Sequence, residues 1–266
     1  MLVLLSIRVA SIPPESRNVW IWVWRGYYPS PRHIALGIFL HLFVASSQLL
    51  IVWLSRQESD NDLKVLKQGG LQLQVAKSVA DTSGTITYNV VYQSHDLAPN
   101  MTVQWTANYA LNWITSIPNP GARVEYKGNW QSCNAGDSWD LDSTGSWQPN
   151  QNNPSAKKNC LNVGKNGYEE NVYIVVGVAD KSGHHSTIWV SPDKLLKNNG
   201  GEYEPLETVT VWYEEGTQTE SMVSTQQTDT KSSTLNPGHD TLYVSYSTMK
   251  GKWLEPQPTP FTFPSS

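Results

Sequence analysis

From about residue 70 to about residue 254 the chain alternates apolar and polar side chains with a period of two. In LQLQV, Leu71, Leu73 and Val75 fall on one face. In GTITYNVVYQ, Ile86, Tyr88 and Val90 do so before a double-apolar step at Val90-Val91. MTVQWT, ARVEYKGNW, NVYIVVGVAD, HSTIWVS, ETVTVWYEE and DTLYVSYS follow the same style, with turn residues between them. Successive strand side chains point to opposite faces, and β-branched and aromatic residues fit a pleated surface, so these runs predict strands. ADKSGHH predicts a hairpin turn with Gly183 at positive φ. SPDKLLKNNGG alone reads as a helix, with Ser191 as N-cap, Pro192 in the first turn and Gly200 or Gly201 as the stop. Roughly eight or nine strands, one short helix and no internal repeat predict an all-β fold, a single antiparallel β-sandwich or jelly-roll-like domain over 70–254.

The N-terminal part has a different pattern. HIALGIFLHLFVASSQLLIVWL, residues 33–54, contains no Asp, Glu, Lys or Arg. An apolar run of about 20 residues crosses a bilayer. Arg25 and Arg32 precede it, so the expectation is a transmembrane signal-anchor, or the core of a signal peptide, with the β domain exported. Residues 1–32 are a basic, Trp-rich lead that reads neither as a folded domain nor as the start of an ordinary signal peptide. Residues 55–69 read as a linker and 255–266 as an extended proline-rich tail. Asn100 in NMT is a glycosylation acceptor on an exported chain.

Charge sharpens this division. Five arginines against Glu15 make residues 1–56 net +4, which leaves −8 on the remainder of a chain of net charge −4. An acidic body argues against nucleic acid as a partner, since phosphate binding needs a basic footprint. Trp and Tyr number 12 each against only 4 Phe, so most aromatic surface carries a polar handle suited to half-wet interfaces.

The longest interruption of the strand pattern runs from Asn129 to Asn171 and is the candidate functional loop. Trp130, Trp139 and Trp147 share it with Asn129, Gln131, Asn134, Asp137, Asp142 and Gln148. Indole faces beside amides and carboxylates suit a sugar, with at least one tryptophan anchoring the loop to the core; Tyr109 and Trp113 in NYALNW are candidates for a neighbouring surface. Cys133 and Cys160, the only cysteines, predict one disulfide across the loop, worth ~3–4 kcal/mol in the chain-entropy model. DLDSTG places Asp140, Asp142 and Thr144 at alternating positions of a calcium-loop template, but Gln151 stands where the bidentate Glu belongs, so calcium is the only cofactor suggested.

The favoured function is an exported, non-enzymatic, lectin-like module that binds carbohydrate or a glycoconjugate through Trp130, Trp139, Trp147, Asn134, Asp137 and Asp142, with membrane contact only through the N-terminal segment. Three alternatives stand beside it. A glycoside hydrolase would need two opposed carboxyls, for which Glu214 and Glu215 are the candidates. A membrane-binding cytolysin would use aromatic loops. A small-molecule enzyme could use a cavity inside the sandwich, which needs no linear motif.

Overall fold

The computed structural model describes residues 51–56, 58–98, 101–180, 182–224, 226, 228–235 and 241–254. Along the chain the first elements are β1 (Ile51–Arg56), α1 (Asp60–Gln68), β2 (Leu71–Ala80), β3 (Ile86–Thr87), β4 (Val90–Val91) and β5 (Gln93–His95). Then come β6 (Met101–Thr106), β7 (Tyr109–Ile114), β8 (Gln131–Ser132), β9 (Ser138–Leu141), β10 (Trp147–Pro149) and β11 (Leu161–Asn166). The last are β12 (Tyr173–Ala179), β13 (His185–Val190), β14 (Gly201–Glu215), β15 (Ser221–Met222), β16 (Lys231–Thr234), β17 (Thr241–Ser247) and β18 (Lys252–Leu254). The all-β expectation holds: these form several sheets, antiparallel except where β1 pairs β17 and β9 pairs β11.

The spine is the antiparallel pair of β2 and β14, whose register runs from Glu204 opposite Ala80 to Glu215 opposite Leu71. It lies in the sheet ordered β10-β9-β11-β14-β2-β3. A second sheet, β13-β12-β7-β8, carries the long apolar run of NVYIVVGVAD. That run has both faces covered. Ile174, Val176 and Val178 enter the principal core with Leu73, Val75, Trp105, Trp113, Trp189 and Tyr213, while Val175 enters a smaller core with Val90, Ile114, Val190 and Met222. A strand buried on both faces reads as continuously apolar rather than alternating. The same double burial overrides the alternation of β2: Gln74 and Ser78 are buried on one face, and Lys77 on the other beside Val75 and Val79.

The helix is not where the sequence placed it. Ser191 donates its hydroxyl to the Asp193 carbonyl at 2.6 Å and accepts from the Ile174 N–H at 3.2 Å. Leu195 and Val172 exchange two main-chain hydrogen bonds. Ser191 N donates to the Ile174 carbonyl and Asn198 N to the Asn166 carbonyl, so the backbone of this stretch bonds to β12, to the residue before it and to β11 rather than to helical partners. The helix is α1, inside the stretch read as a linker. Ser59 caps it by accepting from Asp62 N at 3.1 Å, and Leu63 and Leu66, three apart on one face, enter the principal core.

Residues 33–50, the greater part of the expected membrane-crossing run, lie outside the described residues, as do the lead 1–32, Asn100 and the tail 255–266. The end of that run is not helical: Ile51–Leu54 belong to β1, paired with β6 and β17. Among the described residues no helix is long and apolar enough to cross a membrane.

Candidate functional site

The candidate loop is organised by one turn that the chain uses three times. DTSGT (81–85), DSTGS (142–146) and DKSGH (180–184) share an aspartate, a hydroxyl two residues on, and then glycine. In each, the Asp Oδ1 accepts from the N–H and hydroxyl of the third residue and from the N–H of the fifth. The glycines Gly84, Gly145 and Gly183 take φ of 83, 82 and 82°, which closes a hairpin with a left-handed third loop residue. Asp142 is thus a turn-maker. Its second oxygen accepts from Gln148 Nε2 at 3.0 Å, and hydrogen bonds from Thr144 and then Ser146 hold its carboxyl down at about 2. Asp140 accepts from Asn150 Nδ2 at 2.9 Å. Among the described residues no group of three or more His, Cys, Asp or Glu is arranged to hold a metal ion.

The expected disulfide is corrected. Cys133 and Cys160 are both buried free thiols. Burial, and then the charge of Asp137, push the Cys133 thiol up to about 12, so it stays protonated and unreactive at neutral pH. The loop is instead tied by Asn162, which has no exposed surface. Its Nδ2 reaches the carbonyls of Asp137, Lys157 and Cys160 at 3.0 Å each, and its Oδ1 accepts from Lys157 N at 2.9 Å. Gly136 N donates to the Cys160 carbonyl at 2.8 Å. A fixed amide with donor and acceptor ends does the work assigned to a bridge.

The three tryptophans are each half-buried. Trp139 and Trp147 share one face of the β9–β10 hairpin, because Trp147 pairs with Leu141 and Pro149 with Trp139, and both pack on the principal core. Trp130 packs on the smaller core. Its ring lies 5.0 Å from Tyr126 and is stacked on His185 at 5.8 Å. Burial, and then the neighbouring His184, lower the His185 pKa, so this is a stack on neutral imidazole.

Trp130 and Trp147 come together across a cleft of about 340 Å³ whose other lining residues include Trp113, Asn129, Gln131 and Thr144. Trp113 forms the floor. It is 5% exposed, donates from Nε1 to the Gly145 carbonyl at 3.0 Å and packs on Tyr168 at 4.7 Å. A Cβ at Gly145 or Gly128 would stand 2.6 Å from the Trp113 ring, so the glycines let the cleft's two rims close on the indole. Of the expected binding residues, Trp139, Asn134, Asp137 and Asp142 do not line this cleft. Asn134 and Asp137 instead bond each other in their own turn, at 2.9 and 3.0 Å. Lys127, Gly128, Gly145 and Ser146 line it without having been singled out as ligand contacts.

The carboxylate pair does not form a cleft. Adjacent on β14, Glu214 and Glu215 point to opposite faces, the first buried and the second exposed. The Glu214 carboxylate accepts from Trp212 Nε1 at 2.8 Å and from Ser224 Oγ at 2.9 Å, the bonds of a structural group.

Compared with family models, with curated proteins and with solved structures, the chain matches none.

Proposed function

We propose that the protein is a non-enzymatic, lectin-like module that takes carbohydrate, or a similar polyhydroxylated surface, in the cleft between Trp130 and Trp147. The observation that carries this reading is the lining: two half-buried indoles face a space ringed by Asn129, Gln131, Thr144 and Ser146, with no carboxylate among the lining residues. Indole faces cover the apolar side of a sugar ring, while amides and hydroxyls exchange hydrogen bonds with its hydroxyl groups. Cleavage of a glycosidic bond needs two carboxyls flanking it, so the lining supports binding without turnover. In this reading the β13-β12-β7-β8 sheet and the sheet built on β2 and β14 act as two layers of a sandwich that hold the cleft's rims. The β-rich body works outside the cytoplasm, carried there by the uncharged run that begins at residue 33.

The test is a panel of immobilised neutral and acidic oligosaccharides. The double substitution Asn129→Ala and Gln131→Ala, on the rim, is expected to abolish retention of whichever glycan binds while leaving the melting temperature unchanged. A panel without any binder, or binding indifferent to these two changes, removes the proposal.

A further inference from the structure

Lys77 stands in the middle of β2 with no exposed surface. Its Nζ lies 3.5 Å from Glu207 Oε2 and 4.5 Å from the centre of the Trp105 ring. Tyr109 donates its phenolic O–H to the other oxygen of the same carboxylate, Oε1, at 2.8 Å. Neither Nζ nor Oε2 has a hydrogen-bond partner among the described residues.

The backbone explains how these groups meet. Lys77 pairs with Val209 across the β2–β14 ladder, and the register shifts between Pro205 and Val209. Pro205 has no N–H for the ladder, and a bulge beside it re-aims the side chains of the extra residues. Glu207 is one of those residues. Lys77 is fully buried and the Glu207 side chain is 27% exposed with its Oε2 out of water, so the pair carries a desolvation cost that a single imperfect contact does not repay. Burial lowers the Lys77 pKa against the raising effect of Glu207, which favours the free amine. Burial and the Glu207 charge hold the Tyr109 pKa well above its ordinary value, so it remains a donor.

An amine in apolar surroundings, a carboxyl held against it and a donor on the carboxyl's far oxygen are the parts of an amide-forming site. We propose that Lys77 and Glu207 join in an intramolecular isopeptide bond between Lys77 Nζ and Glu207 Cδ. A proton passes from the Lys77 ammonium to Oε2, leaving a neutral amine beside a carboxylic acid. The Nζ lone pair attacks Cδ, and the Tyr109 O–H stabilises the charge developing on Oε1. The C–Oε2 bond breaks as a second Nζ proton reaches that oxygen, so one water leaves and one amide forms, with no oxidation or reduction. Holding the two groups together in a water-poor interior supplies the drive that dilute amine and acid lack. The product replaces a buried ion pair with a neutral amide and cross-links the two strands of the spine.

The experiment is intact-mass spectrometry of the full chain, denatured, followed by peptide mapping. The expected result is a chain lighter by one water, with trypsin failing to cut after Lys77 and one branched peptide containing Lys77 and Glu207. The full unmodified mass with free cleavage at Lys77 overturns the proposal, as does a water loss that maps to any other residues. These readings come from the unaltered protein and do not depend on a variant folding. Lys77→Met should restore the full mass. Tyr109→Phe should slow bond formation in freshly refolded protein by about 10²-fold, the effect of removing one donor of this kind; an unchanged rate overturns the role given to Tyr109.

Discussion

The side-chain amide of Asn162 donates to the main-chain carbonyl of Asp137 at 3.0 Å, across 25 residues of chain. Two further carbonyls accept from the same nitrogen, and none of its surface meets water. Asn162→Ala is expected to cost about 2–4 kcal/mol, because it removes several hydrogen bonds and strands buried carbonyls without partners. Urea unfolding measures this directly. A change within about 0.5 kcal/mol, the range of ordinary surface substitutions, would show that the loop is held by other contacts.

With both thiols free and buried, a reducing agent should leave the melting temperature where it is. A thiol reagent should label Cys133 only after denaturant is added. A drop in melting temperature on reduction would instead reveal a bridge, whose loss typically costs about 2–5 kcal/mol.

Gly84 and Gly145 occupy the same turn position at φ of 83 and 82°. An added Cβ meets nothing within 4 Å at Gly84 but stands 2.6 Å from Trp113 at Gly145. Gly84→Ala should therefore cost only the left-handed backbone term of about 1–2 kcal/mol. Gly145→Ala should cost about 1–3 kcal/mol more, because a packed indole must move. Thermal melts of the two variants side by side check this; equal losses would mean that the Trp113 contact yields freely.

The Asp142 carboxyl sits at about 2 in the folded chain against an ordinary 3.8. A lowered folded value contributes stability that is present above the unfolded value and lost as pH falls through the folded one. The melting-temperature gap between wild type and Asp142→Ala should be constant above pH about 5 and close between pH about 4 and 2. A gap that persists below pH 2 would contradict the hydrogen-bond origin of the shift. Millimolar calcium should leave the melting temperature unchanged, because the turn already uses both carboxylate oxygens; an upward shift would point to a cation site.

Lining the cleft with Trp130 and Trp147 changes what their substitution should do. Both pack against a core cluster as well as facing the cleft. Trp147→Ala should lower binding and stability together, by about 3–5 kcal/mol for a fully buried ring and less for one half-buried. Calorimetry and glycan retention on the same sample separate the two effects. Binding lost with no change in melting temperature would mean that Trp147 does not anchor the hairpin.

The sequence by itself determined the all-β class and the longer strands β2, β6, β12, β13, β14 and β17, because alternation and β-branched content are local properties of the chain; ARVEYKGNW, expected as a strand, forms none, and β8 to β11 lie in the stretch read as a loop. It also held the hairpin code: DTSGT, DSTGS and DKSGH are one motif, although DSTGS in isolation resembles a calcium loop. Burial on both faces was not readable, since Gln74 and Ser78 look like solvent-facing positions until a second layer covers them, and Lys77 lies on the apolar face of β2 itself. The helix went to Asp60–Gln68 rather than to 191–200 because Ile174, Val172 and Asn166 take main-chain hydrogen bonds from Ser191, Leu195 and Asn198 in the latter. Cysteine spacing could not decide between a bridge and two thiols, which depends on where the sulfurs point. The cleft joins Trp130, just before β8, to Trp147 on β10 of another sheet, and Lys77 meets Glu207 where the β14 register shifts beside Pro205. Such meetings depend on register and layer packing, which the order of residues constrains only through the whole fold.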